Sequence, residues 1–445
     1  MTVVWLDGRP SLDRGLLGGK ALGLNTMLGL GLPVPPAFTV TTRACRDYHH
    51  GGRRMPAALE AELWAGIGRL ERATGRRFGS AEHPLRVSVR SGAAHSMPGM
   101  LDTVLDLGGA DPTQARGRLT AAVAAVFDSW CSPRAQIYRR EHAIPDDGGT
   151  AVTVQAMVSG DTDDESGTGV LFTCNPMTGR PEPYGEWLPR ARGDDLVAGR
   201  RTPQPVDLLA RHLPRAHTQL LAAGRSLEQV ARWPQDIEFT VERGRLWLLQ
   251  TRDAQCAPVA AVRIAVTLWR AGLIDVSHAL QRVGPRRLAE LGRHRSATPA
   301  AGVPLCRGVP ASPGVASGTV VTDPEHARRR ADAGHDIVLA RPRTDPGDVP
   351  AMFAARAVLT EVGGATSHAA IVCRELNLPC VVGCGPGTLT PLQGRQVTVD
   401  GDTGAIFPGM LPGPRTGDET DPDVALFRTW AHHAPETVAD KEADA

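Results

Sequence analysis

Lysine is almost missing from this chain. Of its 49 basic residues only Lys20 and Lys441 are lysine, and the other 47 are arginine. Arginine's planar fork and lysine's compact ammonium are not interchangeable, so a lysine kept against such a bias marks a place that needs a point charge. Lys441 lies in a polar tail, whereas Lys20 lies in a glycine-rich turn. Aromatic residues are scarce too, at 4%, and the net charge is only +1. These shortages exclude base-stacking platforms and the basic footprint of a nucleic-acid or acidic-membrane binder. No run reaches the ~18 apolar residues that a membrane span requires. Residues 1–20 carry Asp7 and Asp13 and no apolar core, so they do not read as a secretion signal. The eight cysteines include no CxxC pair, which fits a reduced, cytoplasmic protein. Cys373, Cys380 and Cys384 lie near His368 in sequence and read as small buried packing residues rather than metal ligands.

What is present is ordinary globular composition, 42% hydrophobic and 22% charged, in 445 residues. That length exceeds one hydrophobic core and calls for two or three domains. We expect a first domain over 1–253, a helical connector over 254–302, a small α/β domain over 303–410 and a polar tail over 411–445. In the first, Gly31 and the prolines that follow stop a helix running through Leu30. Strands are expected at 38–41, 85–89 and 151–158, a helix at 119–130 and a hairpin at 236–251. Helical patterns cover 259–271 and 276–283. Short strands at 319–322, 337–340, 357–360 and 396–400 alternate with helical runs, the mark of an α/β unit. In the tail, 424–432 has the pattern of one helix, and the rest is too polar to build a core.

Three places carry chemistry. Gly18-Gly19-Lys20 leading into a helix offers amide N–H groups and one cation to a phosphate. By itself it is also an ordinary surface turn, since the full P-loop spacing is absent. Arg90 ends the apolar run 87–89, and a glycine-containing stretch at 96–103 follows, suited to closing over a polyphosphate; a solvated arginine beside a turn is the bland alternative. Asp236 and Glu238 share one face of the expected hairpin, Gln250 and Arg252 one face of its return strand. A three-residue loop at 243–245 would set Glu238 opposite Gln250. Such hard oxygen donors suit Mg²⁺ carried by ATP, although an exposed polar edge reads the same way.

The run 359–371 is a strand, a Gly363-Gly364 loop and a helix opened by His368. A helix N-terminus favours an anion on that ring and the neutral, nucleophilic imidazole. Thr366 and Ser367 are natural N-caps and donors. A phosphohistidine at 368 would be both formed and held there.

At this point the motifs LLGGK, GLPVPPAFTVTT, VSVRSGAAHSMPGMLDT, SGTGVLFTCNPMTG, VAGRRTPQP, QDIEF, LLQTR and GGATSHAAIVCREL, in that order from residue 16 on, resemble the pyruvate, phosphate dikinase family. The resemblance implies an α/β (α+β) architecture: an ATP-grasp nucleotide-binding domain followed by a swivelling β/β/α phosphohistidine domain. It implies that Lys20 and Arg90 bind the triphosphate, and that Glu238 and Gln250 hold Mg²⁺ with Asp236 and Arg252 beside them. His368 would be the phosphocarrier. In the family, ATP and inorganic phosphate give AMP, pyrophosphate and phosphohistidine, and the phosphoryl group then makes phosphoenolpyruvate from pyruvate. Thr366 matches a regulatory phosphorylation site of plant members. Two departures stand out. Only 41 residues follow Gly404, too few for the family's pyruvate-binding (β/α)₈ barrel of ~250, so the expected acceptor is pyruvate on a separate barrel protein or another small molecule. The stretch between Leu107 and Phe127 is shorter than in the family, which bears on the use of inorganic phosphate. A kinase of specialised metabolism and a non-catalytic phosphocarrier or regulatory remnant are the competing readings.

Overall fold

Thirty-six prolines and forty-nine glycines cut the chain into short elements. A computed structural model describes residues 2–10, 13–95, 97, 99–197, 201, 203–291, 303–410 and 421–433. The order begins β1 (Val3–Trp5), α1 (Arg14–Gly29), β2 (Ala37–Val40), α2 (Thr42–His50) and α3 (Ala57–Thr74). It continues β3 (Arg77–Phe78), β4 (Pro84–Leu85), β5 (Val87–Gly92), β6 (Thr103–Leu107), α4 (Pro112–Ser129), α5 (Pro133–Glu141) and β7 (Ala151–Ala156). Then come β8 (Gly167–Phe172), β9 (Tyr184–Pro189), α6 (Gly193–Val197), β10 (Gln204–Pro205), α7 (Leu209–His212) and α8 (Pro214–Ala231). The hairpin β11 (Gln235–Glu242) and β12 (Arg245–Asp253) follows, with α9 (Pro258–Arg270) and α10 (Val276–Glu290) after it. The remainder is β13 (Cys306–Arg307), β14 (Val309–Ser312), β15 (Val315–Val321), α11 (Pro324–Asp332), β16 (Ile337–Arg341), α12 (Val349–Ala354) and β17 (Ala357–Thr360). It ends α13 (His368–Leu376), β18 (Cys380–Val382), β19 (Gln396–Asp400), β20 (Ala405–Pro408) and α14 (Pro422–His433). This is the mixed α/β architecture expected.

The chain divides into two units. One comprises Met1–Thr168, Pro189–Arg192 and Ile237–Arg252; the other comprises Gly169–Leu188, Gly193–Asp236 and Asp253–Ala445.

The first unit is built on a sheet of order β1-β2-β7-β5-β6. Every neighbouring pair in it is antiparallel. Phe38, Leu63, Leu85, Val87, Leu119, Val152 and Val154 belong to one core cluster of this unit. Each such side chain contributes roughly 1.5–3 kcal/mol on burial. The expected helix at 119–130 starts earlier, at Pro112, because Asp111 caps it by accepting from the amides of Thr113 and Gln114. The expected strand at 85–89 is two: β4 ends at Leu85, and β5 runs on through Arg90 to Gly92.

The second unit carries an eight-stranded sheet of order β13-β20-β19-β15-β16-β17-β18-β14. Strands β15 to β18 run parallel, joined by helical crossovers as parallel strands must be. The outer pairs are antiparallel. Within the segment read as a connector, the described residues 254–291 carry α9 and α10 and pack into a core. In α9 Ala260, Ala261, Val262, Ile264, Ala265 and Val266 are all buried. A helix apolar almost all round belongs inside a protein. The expected tail helix exists as α14 and lies against this core: Val424 and Phe427 join the cluster of α9 and α10. Arg263 and Arg270 pair with Asp421 and Asp423 at 2.7 and 2.8 Å, and Trp269 meets Trp430 edge-on at 4.8 Å. Residues 292–302, 411–420 and 434–445, which include Lys441, lie outside the described residues. Among the described residues no helix is long and apolar enough to cross a membrane.

Candidate active site

In the first unit the site starts at a broken helix. Asp13 caps α1, accepting from the Gly15 amide at 2.8 Å. At Gly18 the backbone leaves helical geometry, with φ 73° and ψ 162°, and the helix restarts. A Cβ there would lie 1.9 Å from the carbonyl oxygen of Gly92. Only glycine permits both the left-handed φ and the approach. The Gly19 amide is committed to Ala93 O at 2.9 Å, so one of the N–H groups expected to face phosphate is engaged at the end of β5. The same contact brings Lys20 beside the strand that carries Arg90: a Cβ on Gly92 would lie 3.4 Å from the Cβ of Lys20.

Arg90 is the hub. Its Nη2 donates to Glu238 Oε2 at 2.8 Å and to Gln250 Oε1 at 3.2 Å, and its Nη1 to Leu249 O at 3.4 Å. The hairpin turn is two residues, Arg243 and Gly244, both at positive φ, not the three expected. Glu238 and Gln250 still converge, on the one guanidinium. Burial would raise the Glu238 carboxyl, but Arg90 and Arg252 outweigh it and hold the group below its ordinary value. Lys20 is pushed well below the ordinary lysine value by burial, then by Arg90 and Arg252, against the pull of Glu238. Two guanidiniums around one ionised carboxylate, with Lys20 beside them ready to be charged by an arriving anion, suit a polyphosphate. The two side-chain oxygens on Arg90 are the hard donors that Mg²⁺ prefers. Among the described residues no group of three or more His, Cys, Asp or Glu could hold a metal ion, so ligands from a nucleotide would have to complete the shell.

In the second unit His368 opens α13, after the carboxyl end of the interior parallel strand β17. Ligand-binding loops of parallel sheets sit at such ends. His368 is half-buried. Ser367 is the N-cap residue by position, with φ −65° and ψ 162°, but its side chain makes no capping bond. The Thr366 hydroxyl, 1% exposed, donates to Glu186 instead. Glu186 stands on β9 and also accepts from the amides of Ala365 at 2.6 Å and Thr366 at 3.0 Å. A Cβ on Gly364 would lie 2.1 Å from its carboxylate, which accounts for glycine there. Burial raises the Glu186 carboxyl, although the bonds from Thr366 and Ala365 pull the other way. Asp236 is 3% exposed, and in this unit its charge supports the buried guanidinium of Arg374. Cys373, Cys380 and Cys384 are buried.

Glu186 and Arg374 were not singled out from the sequence. The one local signal for Glu186 is an acid flanked by Gly185 and Trp187 inside an otherwise buried strand.

A family model described as "Pyruvate phosphate dikinase, AMP/ATP-binding domain" matches residues 52–217. A second, "PEP-utilising enzyme, mobile domain", matches 334–404. The chain is 36% identical to a pyruvate, phosphate dikinase of Rhizobium meliloti over 94% of its own length and 58% of the relative's. It is 36% identical to that of Clostridium symbiosum over 91% and 57%. It is 35% identical to a chloroplastic pyruvate, phosphate dikinase 1 of Arabidopsis thaliana over 95% and 54%. It thus spans somewhat more than half the length of the relatives it matches.

Proposed function

This chain belongs to the pyruvate, phosphate dikinase family, and on that premise we propose that it is an ATP-dependent phosphotransferase that phosphorylates its own His368. The observation that carries the reading is the convergence of Arg90 on Glu238 and Gln250, with the charge of Lys20 bound into the same cluster. Lys20 and Arg90 hold the phosphates, and Arg252 adds charge beside them. Glu238 and Gln250 would hold Mg²⁺ brought in with the nucleotide. That cation would supply charge neutralisation to the phosphate oxygens. Asp236 belongs to the second unit, where its charge supports Arg374.

The neutral imidazole of His368 forms a P–N bond as the P–O bond to the leaving phosphate breaks; the electron pair leaves with that oxygen. The N-terminus of α13 stabilises the arriving anion. Thr366 would be open to modification only when its hydroxyl has left Glu186. Pyruvate, named in the relatives, is the first acceptor to try, offered with and without a barrel protein. In dikinase chemistry inorganic phosphate would accept the second phosphoryl group to give pyrophosphate, and AMP would depart.

The test is incubation with γ- or β-labelled ATP followed by analysis of acid-labile label. Wild-type chain should carry label that His368→Ala lacks, with nucleotide affinity unchanged. Equal acid-labile label in the variant would overturn the assignment. Which phosphorus arrives separates dikinase from simple kinase chemistry.

A further inference from the structure

Six residues after His368, on the same helix, Arg374 is 3% exposed. Burying a guanidinium is costly unless the charge is used, and apolar packing would be cheaper. Its Nη1 donates to Ala311 O on β14 at 2.8 Å and to Ala365 O in the His368 loop at 2.9 Å. Its Nε is buried with no hydrogen-bond partner among the described residues. Burial lowers its pKa, and Asp236 and Tyr184 offset that. The face of the Phe172 ring lies 5.5 Å away.

These bonds have a geometric consequence. The carbonyl that Arg374 holds and the Thr366 amide that Glu186 holds belong to one peptide group. That peptide, the one just before the Thr366–Ser367 peptide, is held at both poles, so a flip would break both bonds. A flip would turn the Thr366 N–H away from the face where the loop meets Glu186. Glu186 is a residue of β9, outside the small sheet domain, whereas Arg374 and Ala311 belong to the same sheet domain as the loop.

We propose that Arg374 is a positioning residue for His368: by fixing the Ala365–Thr366 peptide to β14 it keeps the loop in its phosphoryl-accepting shape, with or without Glu186 on the amide side. The proposal rests on His368 being the phosphoryl acceptor. Lysine can donate to a carbonyl from the same helix position but is shorter and more strongly hydrated, so it should restore part of the function.

The experiment compares wild type, Arg374→Lys and Arg374→Met in three readouts: nucleotide affinity, the rate of acid-labile labelling from ATP, and the rate of labelling by phosphoramidate. Phosphoramidate phosphorylates imidazole without nucleotide, the new P–N bond forming as ammonia leaves. Nucleotide affinity should match wild type in both variants. Labelling from ATP should fall at least 100-fold in Arg374→Met and recover at least tenfold in Arg374→Lys, and the phosphoramidate rates should rank in the same order. Labelling of Arg374→Met within threefold of wild type overturns the proposal, as does an equal loss in both variants. If Arg374→Met does not fold, Arg374→Gln takes its place under the same criteria. If wild type takes no label from ATP, the parent reading fails, and the phosphoramidate ranking alone then decides: equal rates in wild type and variant sink the role of Arg374.

Discussion

Arg90 and Glu238 stand 148 residues apart in sequence and meet at 2.8 Å. The pair is partly buried, with side-chain exposures of 16% and 24%. It also acts on Lys20, Arg90 lowering and Glu238 raising the ammonium's pKa. Removing one member of such a pair leaves the other's charge uncompensated, so each deletion should be felt at Lys20 with opposite sign.

Arg90→Met should therefore raise the Lys20 pKa and Glu238→Gln should lower it further. The scarcity of lysine makes this directly measurable. Reductive ¹³C-methylation of a chain with two lysines leaves two side-chain resonances to titrate, and Lys441→Arg assigns them. Shifts of the same sign in both variants would show that Lys20 does not share a field with the pair.

Nucleotide binding should take up protons. Free Lys20 titrates below the ordinary lysine value, and a bound polyphosphate stabilises its charged form. Affinity should thus decline as pH rises through the lowered pKa, earlier than for an ordinary lysine. Folding stability follows the opposite sign: the folded chain binds fewer protons than the unfolded one between the lowered and the ordinary pKa, so Lys20's contribution improves as pH rises across that window. Calorimetry of ATP binding in two buffers of different ionisation enthalpy measures the uptake. Lys20→Arg should abolish it, because guanidinium stays charged. The same variant should slow His368 labelling by about tenfold or more, equivalent to ~1.4 kcal/mol in the barrier.

Gly18→Ala should destabilise the first unit by at least about 2 kcal/mol, since a methyl group would meet Gly92 O at 1.9 Å on a backbone at φ 73°. Thermal or urea unfolding reads this. Lys20 should move with it, so nucleotide affinity should fall even at temperatures where the variant is folded. Wild-type affinity in a folded Gly18→Ala chain would separate the helix break from the binding of phosphate.

Glu186→Ala should leave the amides of Ala365 and Thr366 and the Thr366 hydroxyl without their acceptor. Leaving a buried donor unsatisfied costs about 1–3 kcal/mol, so the two amides should reach solvent more often while Arg374 still holds the Ala365 carbonyl. Hydrogen exchange at Ala365 and Thr366 should accelerate by at least about tenfold, the counterpart of ~1.4 kcal/mol of lost protection. The amides of β5 should keep their rates. Unchanged exchange at both loop amides would mean that Glu186 does not hold them in solution.

Local signals, together with the scarcity of lysine at Lys20, raised Lys20, Arg90, Glu238, Gln250 and His368 as candidates beside blander readings, and the resemblance gave them their roles. A glycine break before a helix, the end of an apolar strand, the two-residue period of a hairpin and a glycine loop opening a helix are all short-range signals, set by backbone sterics and side-chain alternation. The alternating strands of the small domain were legible for the same reason. Tertiary structure decided the partners. Arg90 meets Gln250 across 160 residues and Glu186 meets Thr366 across 180, and no local period carries such a pairing. The hairpin's two-residue turn, the commitment of Gly19 to Ala93, the burial of α9 and the docking of α14 on it were settled likewise. Each depends on which surface the rest of the chain presents to that segment, because burial and hydrogen-bond satisfaction are properties of the packed whole.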